Sequence, residues 1–212
     1  MAKALDHPLA QRIYHGINLL AIAGLTITGF YIHRPFTEGA MGLARSGHFL
    51  AMYILLINLV LRIYYAFLGK YKDAGEFSWG TKEWGNLWKT LKYYAFLGEH
   101  PVAGKYNPLQ KLAYLTVVLL LVVQGVTGFA LYRPELSADL AVSLGGLQLV
   151  RAIHFLTMWV LLAFTVTHIY MVFAETPDQV KLMFLGIAEE DEDRLVIGGG
   201  KEASPHYGAG GR

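Results

Sequence analysis

The chain has no cysteine among its 212 residues. Without thiolates it cannot bind iron–sulfur clusters, build thiolate zinc sites, form disulfides or attach haem covalently through a CxxCH motif. Charged residues are also scarce, because they make up 16% of the sequence where soluble domains have about a quarter. The hydrophobic share is 54%. The composition excludes an ordinary soluble domain and predicts one membrane domain whose cofactors are bound non-covalently.

A small net charge of +2, with lysines scattered between apolar runs, gives no basic face for nucleic acid. Four apolar stretches are long enough to cross a bilayer, whose core needs about 20 residues per helix. They cover residues 13–33, 46–67, 109–132 and 149–173. The first contains His15 and lacks a small-residue cleavage pattern, so we expect a mature helix rather than a signal peptide. The predicted fold is all-α, a four-helix transmembrane bundle over residues 13–175.

The positive residues outside the spans are unevenly distributed. Twelve lie before the first span, in the long connection 68–108 or after the last span, and only Arg34, Arg45 and Arg133 lie in the other two connections. Loops rich in lysine and arginine stay on the cytoplasmic side. We therefore expect a multi-pass protein whose N-terminus (1–12), long connection and C-terminal tail (176–212) are cytoplasmic.

The long connection contains a second apolar pattern. The residues that recur there at helical spacing are Trp84, Leu87, Trp88, Leu91 and Ala95. They predict an interfacial helix on the cytoplasmic membrane surface, and a helix packed against a partner subunit would show the same pattern. The tail is acidic over residues 189–193 and then rich in glycine, which is typical of a mobile or partner-bound segment.

Besides His33, which is the last residue of the first span, the predicted spans contain four histidines, at His15, His48, His154 and His168. Histidine inside a transmembrane helix is rare and marks a functional site by default. Because successive spans alternate in direction, His15 and His168 lie at the cytoplasmic level, and His48 and His154 lie at the outer level. The 14 residues between His154 and His168 correspond to ~21 Å and almost four turns, so both side chains face the same interior.

Haem iron accepts axial ligands from opposite faces of its ring, and facing helices of a bundle supply them. Depth allows only the pairs His15 with His168 and His48 with His154. We therefore predict two haems, one near each membrane surface, each held by two imidazoles and suited to electron transfer. A metal transporter with histidines in its spans is the alternative. Sites ~20 Å apart fit an ion path poorly.

Residues near the proposed ligands have two explanations, contact with haem or an ordinary structural role. The arginines that precede a proposed ligand by three residues are Arg12, Arg45 and Arg151. They are candidates for haem propionates, and interfacial snorkelling explains them equally well. Gly24, Gly29, Gly125 and Gly128 could admit a flat macrocycle, or they could serve close helix packing.

The longest motifs open or fill the spans. They are RIYHGIN in the first, GHFLAMYILLINLVLRIYYAFLG in the second, YNPLQKLAY and QGVTG in the third, and RAIHFLTMWVLLAFTVTHIYMVF with LMFLG in and beyond the fourth. Together, over about residues 8–186, they resemble the b-type cytochrome subunit of membrane-bound nickel–iron hydrogenases. The gamma subunit of formate dehydrogenase is similar at a greater distance.

The resemblance implies a subunit of the bacterial inner membrane that anchors a periplasmic small iron–sulfur subunit and a large nickel–iron subunit. Such a subunit passes electrons through an outer and then an inner haem b to menaquinone or ubiquinone, so it is an electron-transfer subunit rather than a complete enzyme. The resemblance assigns the haem ligands to the same four histidines and a quinone site to the inner level. The nearest candidates for that site are His100, Asn107, Tyr114 and Met171. Formate dehydrogenase, thiosulfate reductase or another oxidoreductase remains open as the catalytic partner, and so does a stand-alone cytochrome.

Overall fold

A computed structural model of the chain describes residues 8–70, 72–95, 97–98, 107–175 and 177–186. The helices in these residues are α1 (Leu9–His33), α2 (Met41–Leu68), α3 (Thr81–Tyr94), α4 (Pro108–Tyr132), α5 (Ala138–Ser143), α6 (Leu147–Glu175) and α7 (Pro177–Leu185). A short 3-10 helix covers Ala74–Phe77. The described residues contain no strand. The prediction of an all-α protein is therefore confirmed.

Four of these helices, α1, α2, α4 and α6, are long and apolar enough to cross a membrane. They begin one to five residues before the predicted spans, because a helix continues beyond the stretch that lipid requires to be apolar. Large side chains such as Leu20, Ile57 and Leu119 lie exposed on them. Such exposure is costly in water and normal in lipid, which agrees with a multi-pass membrane protein. The domain boundary at residue 175 stays a prediction.

Residues 14–168 form one compact unit, in which neighbouring spanning helices run antiparallel. Near one end of the bundle, the rings of Tyr14 on α1 and Tyr65 on α2 lie 5.8 Å apart between centroids. Near the other end, Thr28 Oγ1 lies 2.9 Å from His48 Nδ1. Because residue numbers rise along α1 as they fall along α2, the two helices point in opposite directions.

The other two spanning helices, α4 and α6, pack against α2 and α1. The rings of Phe49 on α2 and Tyr132 on α4 lie 4.0 Å apart between centroids, and those of Phe30 on α1 and Trp159 on α6 lie 5.5 Å apart. The apolar side chains buried together at its centre are Ala21, Leu55, Leu59 and Leu121. The bundle therefore has α1 beside α2 and α6, and α4 beside α2.

The helix predicted in the long connection is present as α3. It packs on α4, where Lys111 Nζ lies 3.2 Å from Ser78 O and 3.5 Å from Glu83 Oε1. Trp84 and Trp88, which belong to the predicted apolar face, are 65% and 62% exposed. An exposed indole face suits a membrane surface and a partner subunit alike, so both interpretations stand.

The segment between α2 and α3 is held by an ion pair. Arg62 donates two hydrogen bonds to the Asp73 carboxylate, from Nη1 to Oδ1 at 3.2 Å and from Nη2 to Oδ2 at 2.5 Å. The Asp73 side chain is 4% exposed and that of Arg62 is 26% exposed. The bidentate geometry ties the residues after α2 back onto the helix.

At the other end of the bundle, α5 closes the connection between α4 and α6. Ala130, Ala141 and Val150 are buried together there. Gly145 and Gly146 follow with φ angles of +90° and +95°, a left-handed conformation that favours glycine because it has no Cβ. These two residues allow the chain to turn directly from α5 into α6.

Residues 8–13 and 169–186 belong to a second compact unit. Within it, Arg12 Nε donates to Met183 O at 3.0 Å, and Arg12 Nη2 donates to Phe184 O at 3.5 Å. Gly186, with φ of +76°, ends α7, and its N–H donates to Leu182 O at 3.0 Å. A cation at the last carbonyls of a helix is favourable because those carbonyls carry a partial negative charge.

Candidate functional site

The pair predicted for the inner level, His15 and His168, lies between α1 and α6. The rings of His15 and His168 are 6.3 Å apart between centroids and are inclined at 53° to each other. An imidazole nitrogen lies about 2 Å from a bound transition metal, so two rings that share one metal have centroids about 6 Å apart. The separation therefore fits two axial ligands of one haem iron.

The pair predicted for the outer level is His48 on α2 and His154 on α6. His48 Nδ1 lies 2.9 Å from Thr28 Oγ1 on α1, and His154 Nδ1 lies 2.9 Å from Thr127 Oγ1 on α4. A Cβ on Gly128 would lie 3.2 Å from His154 Cε1 and 3.8 Å from the sulfur of Met52, which follows His48 by about one turn of α2. Gln124 also donates from Nε2 to His154 O at 2.9 Å, which ties α4 to the backbone of α6 at this level.

The glycines singled out in the sequence divide into two groups. A Cβ on Gly29 would lie 3.4 Å from His48 Cε1, and a Cβ on Gly128 would lie 3.2 Å from His154 Cε1. These two glycines make room for the imidazole rings. The contacts of the others are with ordinary packing residues, since a Cβ on Gly24 would meet Ala51 at 3.9 Å and one on Gly125 would meet Leu56 at 2.8 Å.

The two pairs lie at different levels of the bundle. Thr28, which contacts His48, follows His15 by 13 residues on the same helix, a rise of ~20 Å. The structure thus brings the rings of His15 and His168 together at one level and places His48 and His154 at the other. Among the described residues, no group of three or more His, Cys, Asp or Glu side chains forms an ion cage. Two imidazoles are the number of side-chain ligands that a bis-histidine haem needs.

The three arginines proposed for haem propionates have different surroundings. Arg45 and Arg151 are exposed, and Arg151 donates from Nη1 to Gln148 Oε1 at 2.9 Å. Arg12 holds the carbonyl end of α7. The propionate role stays a prediction for all three, and Arg12 already has a structural role in its own unit.

The quinone-site candidates are also dispersed. Asn107 caps α4, because its Oδ1 accepts from Gln110 N at 2.8 Å and its N donates to Gln110 Oε1 at 2.9 Å. Tyr114 lies two turns further along α4, with its ring 5.6 Å from that of Phe77 between centroids. Met171 belongs to the second unit, and His100 lies outside the described residues. Their joint role stays a prediction.

Sequence reasoning missed Thr28, Thr127 and Gln124. Hydroxyls and amides in an apolar helix often bond only to their own helix, so nothing in one residue identifies its contact with a ligand. The available signal was the repeated tripeptide Thr-Gly-Phe, which occurs at 28–30 and 127–129.

Comparison with protein families and known proteins agrees with this arrangement. Residues 6–186 match the family model described as prokaryotic cytochrome b561. The chain is 32% identical to the probable Ni/Fe-hydrogenase B-type cytochrome subunit of Azotobacter vinelandii, over 77% of this chain and 78% of that protein. It is 33% identical to the protein of the same description from Rhizobium leguminosarum bv. viciae, over 77% and 78%. The probable Ni/Fe-hydrogenase 1 B-type cytochrome subunit of Escherichia coli K12 is 29% identical, over 77% and 80%.

Proposed function

The chain belongs to the prokaryotic cytochrome b561 family, and we propose that it is the dihaem membrane subunit of a respiratory nickel–iron hydrogenase. In this role it anchors the periplasmic small and large catalytic subunits and passes their electrons through an outer and an inner haem b to quinone. The printed descriptions of its relatives, which name Ni/Fe-hydrogenase, favour this partner over a formate or thiosulfate oxidoreductase.

The observation that carries the proposal is the placement of two histidine pairs at two levels of one four-helix bundle. At the inner level, the 6.3 Å between the ring centroids of His15 and His168 fits two axial ligands. At the outer level, His48 and His154 come from facing helices and are each held by a threonine. Haem b, when bound, carries one electron as its iron changes between the ferric and ferrous states.

The histidines determine which chemistry the site supports. His15 with His168, and His48 with His154, would each hold a haem by two imidazoles, and such a ligand set would favour electron transfer over oxygen binding. The absence of cysteine requires non-covalent binding. The apolar helices around the pairs exclude water and keep the two levels ~20 Å apart along α1.

We place the quinone site at the inner level, with Asn107, Tyr114, Met171 and His100 as candidates. Menaquinone or ubiquinone would take its protons from the cytoplasmic side. The excess of lysine and arginine in the N-terminus, the long connection and the tail supports this orientation in the inner membrane.

Haem content tests the proposal directly. Purified wild-type protein should contain two haems b per chain by the pyridine haemochrome assay, and His154→Ala and His168→Ala should each lose one. The matched control is His33→Ala, because His33 also lies in a spanning helix but stacks on Phe155 at 4.7 Å between centroids. It should keep both haems.

A wild-type chain with fewer than two haems, or a His154→Ala variant with two, would contradict the dihaem assignment. The partner is identified separately, by purifying the tagged chain from membranes in mild detergent. Hydrogenase small and large subunits should co-purify with it. If a formate or thiosulfate oxidoreductase co-purifies instead, the electron relay remains the proposal and the catalytic partner is a different enzyme.

A further inference from the structure

The outer histidines have matched surroundings on two different helices. Thr28 and Gly29 of α1 contact His48, and Thr127 and Gly128 of α4 contact His154. In each case the threonine hydroxyl meets Nδ1, and a Cβ added to the glycine would lie 3.2–3.4 Å from Cε1, the neighbouring ring atom. The repeated Thr-Gly-Phe tripeptide therefore gives both histidines the same surroundings. We call each threonine–glycine pair a cradle for its imidazole ring.

Hydrogen-bond counting assigns the proton between Thr28 and His48. The Thr28 hydroxyl has one proton, and its oxygen lies 2.6 Å from Gly24 O, a carbonyl that can only accept. That proton is therefore donated to Gly24 O. The hydroxyl oxygen must then accept from His48, so His48 Nδ1 carries a hydrogen and donates it across 2.9 Å.

The same count holds at the second cradle. Thr127 Oγ1 lies 2.6 Å from Val123 O, which takes the hydroxyl proton, and 2.9 Å from His154 Nδ1. His154 Nδ1 is therefore the donor as well. A neutral imidazole with its proton on Nδ1 has its lone pair on Nε2.

We propose that Thr28 and Thr127 are positioning residues that hold both outer histidines as Nδ1–H tautomers and present their Nε2 lone pairs to the outer haem iron. This inference rests on the proposed function, since it takes His48 and His154 as ligands. Partners of the second imidazole nitrogen orient a metal-bound histidine and raise its basicity. A more basic ligand stabilises ferric iron, so the two hydroxyls lower the midpoint potential of the outer haem.

The test compares Thr28→Val and Thr127→Val with two kinds of control. Thr28→Ser and Thr127→Ser keep the hydroxyl. Thr165→Val removes a hydroxyl of the same kind, because Thr165 Oγ1 donates to Leu161 O at 2.8 Å on α6. On each purified protein we measure the haem content, the midpoint potentials by redox titration and the low-spin ferric signals by electron paramagnetic resonance.

The valine variants should raise the potential of one haem and change its low-spin signal, while the other haem keeps its wild-type values. The serine variants and Thr165→Val should match the wild type. Loss of one haem in the valine variants, with retention in the serine variants, would support the same role because the effect follows the hydroxyl.

Two results would overturn the inference. One is wild-type potentials and signals in both valine variants, and the other is an equal change in the valine and serine variants, which would indicate packing alone. If His154→Ala still loses one haem in that case, the dihaem assignment survives. If His154→Ala keeps both haems, the proposed function fails first.

Discussion

At the scale of single residues, the space around the His154 imidazole is too tight for an extra methyl group on Gly128. His154 Nδ1 lies 2.9 Å from the Thr127 hydroxyl oxygen, and a Cβ added to Gly128 would come within 3.2 Å of the imidazole Cε1. A packed interior accommodates an extra methyl group only by shifting side chains or backbone. Since the ring already donates to Thr127, its displacement would also weaken that hydrogen bond.

Gly128→Ala should therefore weaken haem binding at the outer level by at least about tenfold, the scale of losses when a metal ligand is poorly oriented. Titration of haem into the haem-depleted protein, followed by absorption, measures the effect. The matched control is Gly24→Ala, whose Cβ would make an ordinary contact of 3.9 Å with Ala51. Equal haem affinities in Gly128→Ala and Gly24→Ala would contradict the proposed role of Gly128 beside the His154 ring.

At the scale of elements, α3 is attached to α4 through the first turn of α3. Glu83 Oε2 accepts from Gly80 N at 2.9 Å, and Glu83 Oε1 faces Lys111 Nζ at 3.5 Å. The hydrogen bond from the backbone of Gly80, with a smaller contribution from the Lys111 charge, lowers the pKa of Glu83 below its usual value. A carboxylate at this position caps the helix and joins it to the bundle.

The contribution of Glu83 to stability should depend on pH. Because its pKa is lower in the folded state, the carboxylate stabilises α3 fully above the usual value of about 4.3, and this contribution is lost as the pH falls through the lowered pKa. Tryptophan fluorescence from about pH 6 to about pH 3 should report it through Trp84. Glu83→Gln should lose this transition and Glu76→Gln, in the exposed 3-10 helix, should keep it. An unchanged transition in Glu83→Gln would refute the assignment.

The ion pair after α2 gives a second prediction at this scale. Asp73→Asn removes the charge from a nearly buried carboxylate that accepts two hydrogen bonds from Arg62. We expect a loss of about 1.5–3 kcal/mol in the free energy of unfolding, measured by detergent titration. Glu135→Gln breaks a pair with Arg133 whose side chains are 59% and 49% exposed, and it should cost less than about 1 kcal/mol. Equal costs would show that burial does not govern these pairs.

At the scale of the whole molecule, the directions of the four spanning helices explain why four histidines that are far apart in the sequence lie at two levels of the bundle. Alternating direction brings His15, near the start of α1, to the same level as His168, near the end of α6. The same alternation brings the start of α2 level with the start of α6. In the proposed relay, orientation in the membrane determines which pair faces the electron donor, and the charge distribution predicts that the His48 and His154 pair is the outer one.

The absence of cysteine makes this orientation easy to test. Lys82→Cys and Ser143→Cys each introduce one thiol at an exposed residue, the first in α3 and the second in α5. In intact cells with a permeabilised outer membrane, a membrane-impermeant maleimide should label Ser143→Cys and should label Lys82→Cys only after lysis. The reverse pattern would invert the predicted orientation of the relay. Labelling of both variants would indicate leaky cells, which a cytoplasmic marker protein reveals. The cysteine-free wild type should stay unlabelled.

The sequence by itself determined the fold class, because four long apolar stretches leave a chain few alternatives to spanning helices when every backbone polar group must be satisfied in lipid. It also predicted which histidines meet, since depth follows from counting residues along helices of alternating direction. Only the tertiary structure revealed that Thr28 and Thr127 reach His48 and His154, and that Arg12 holds the end of α7. Such contacts depend on the rotation and close approach of neighbouring helices, which residue periodicity along one helix does not specify.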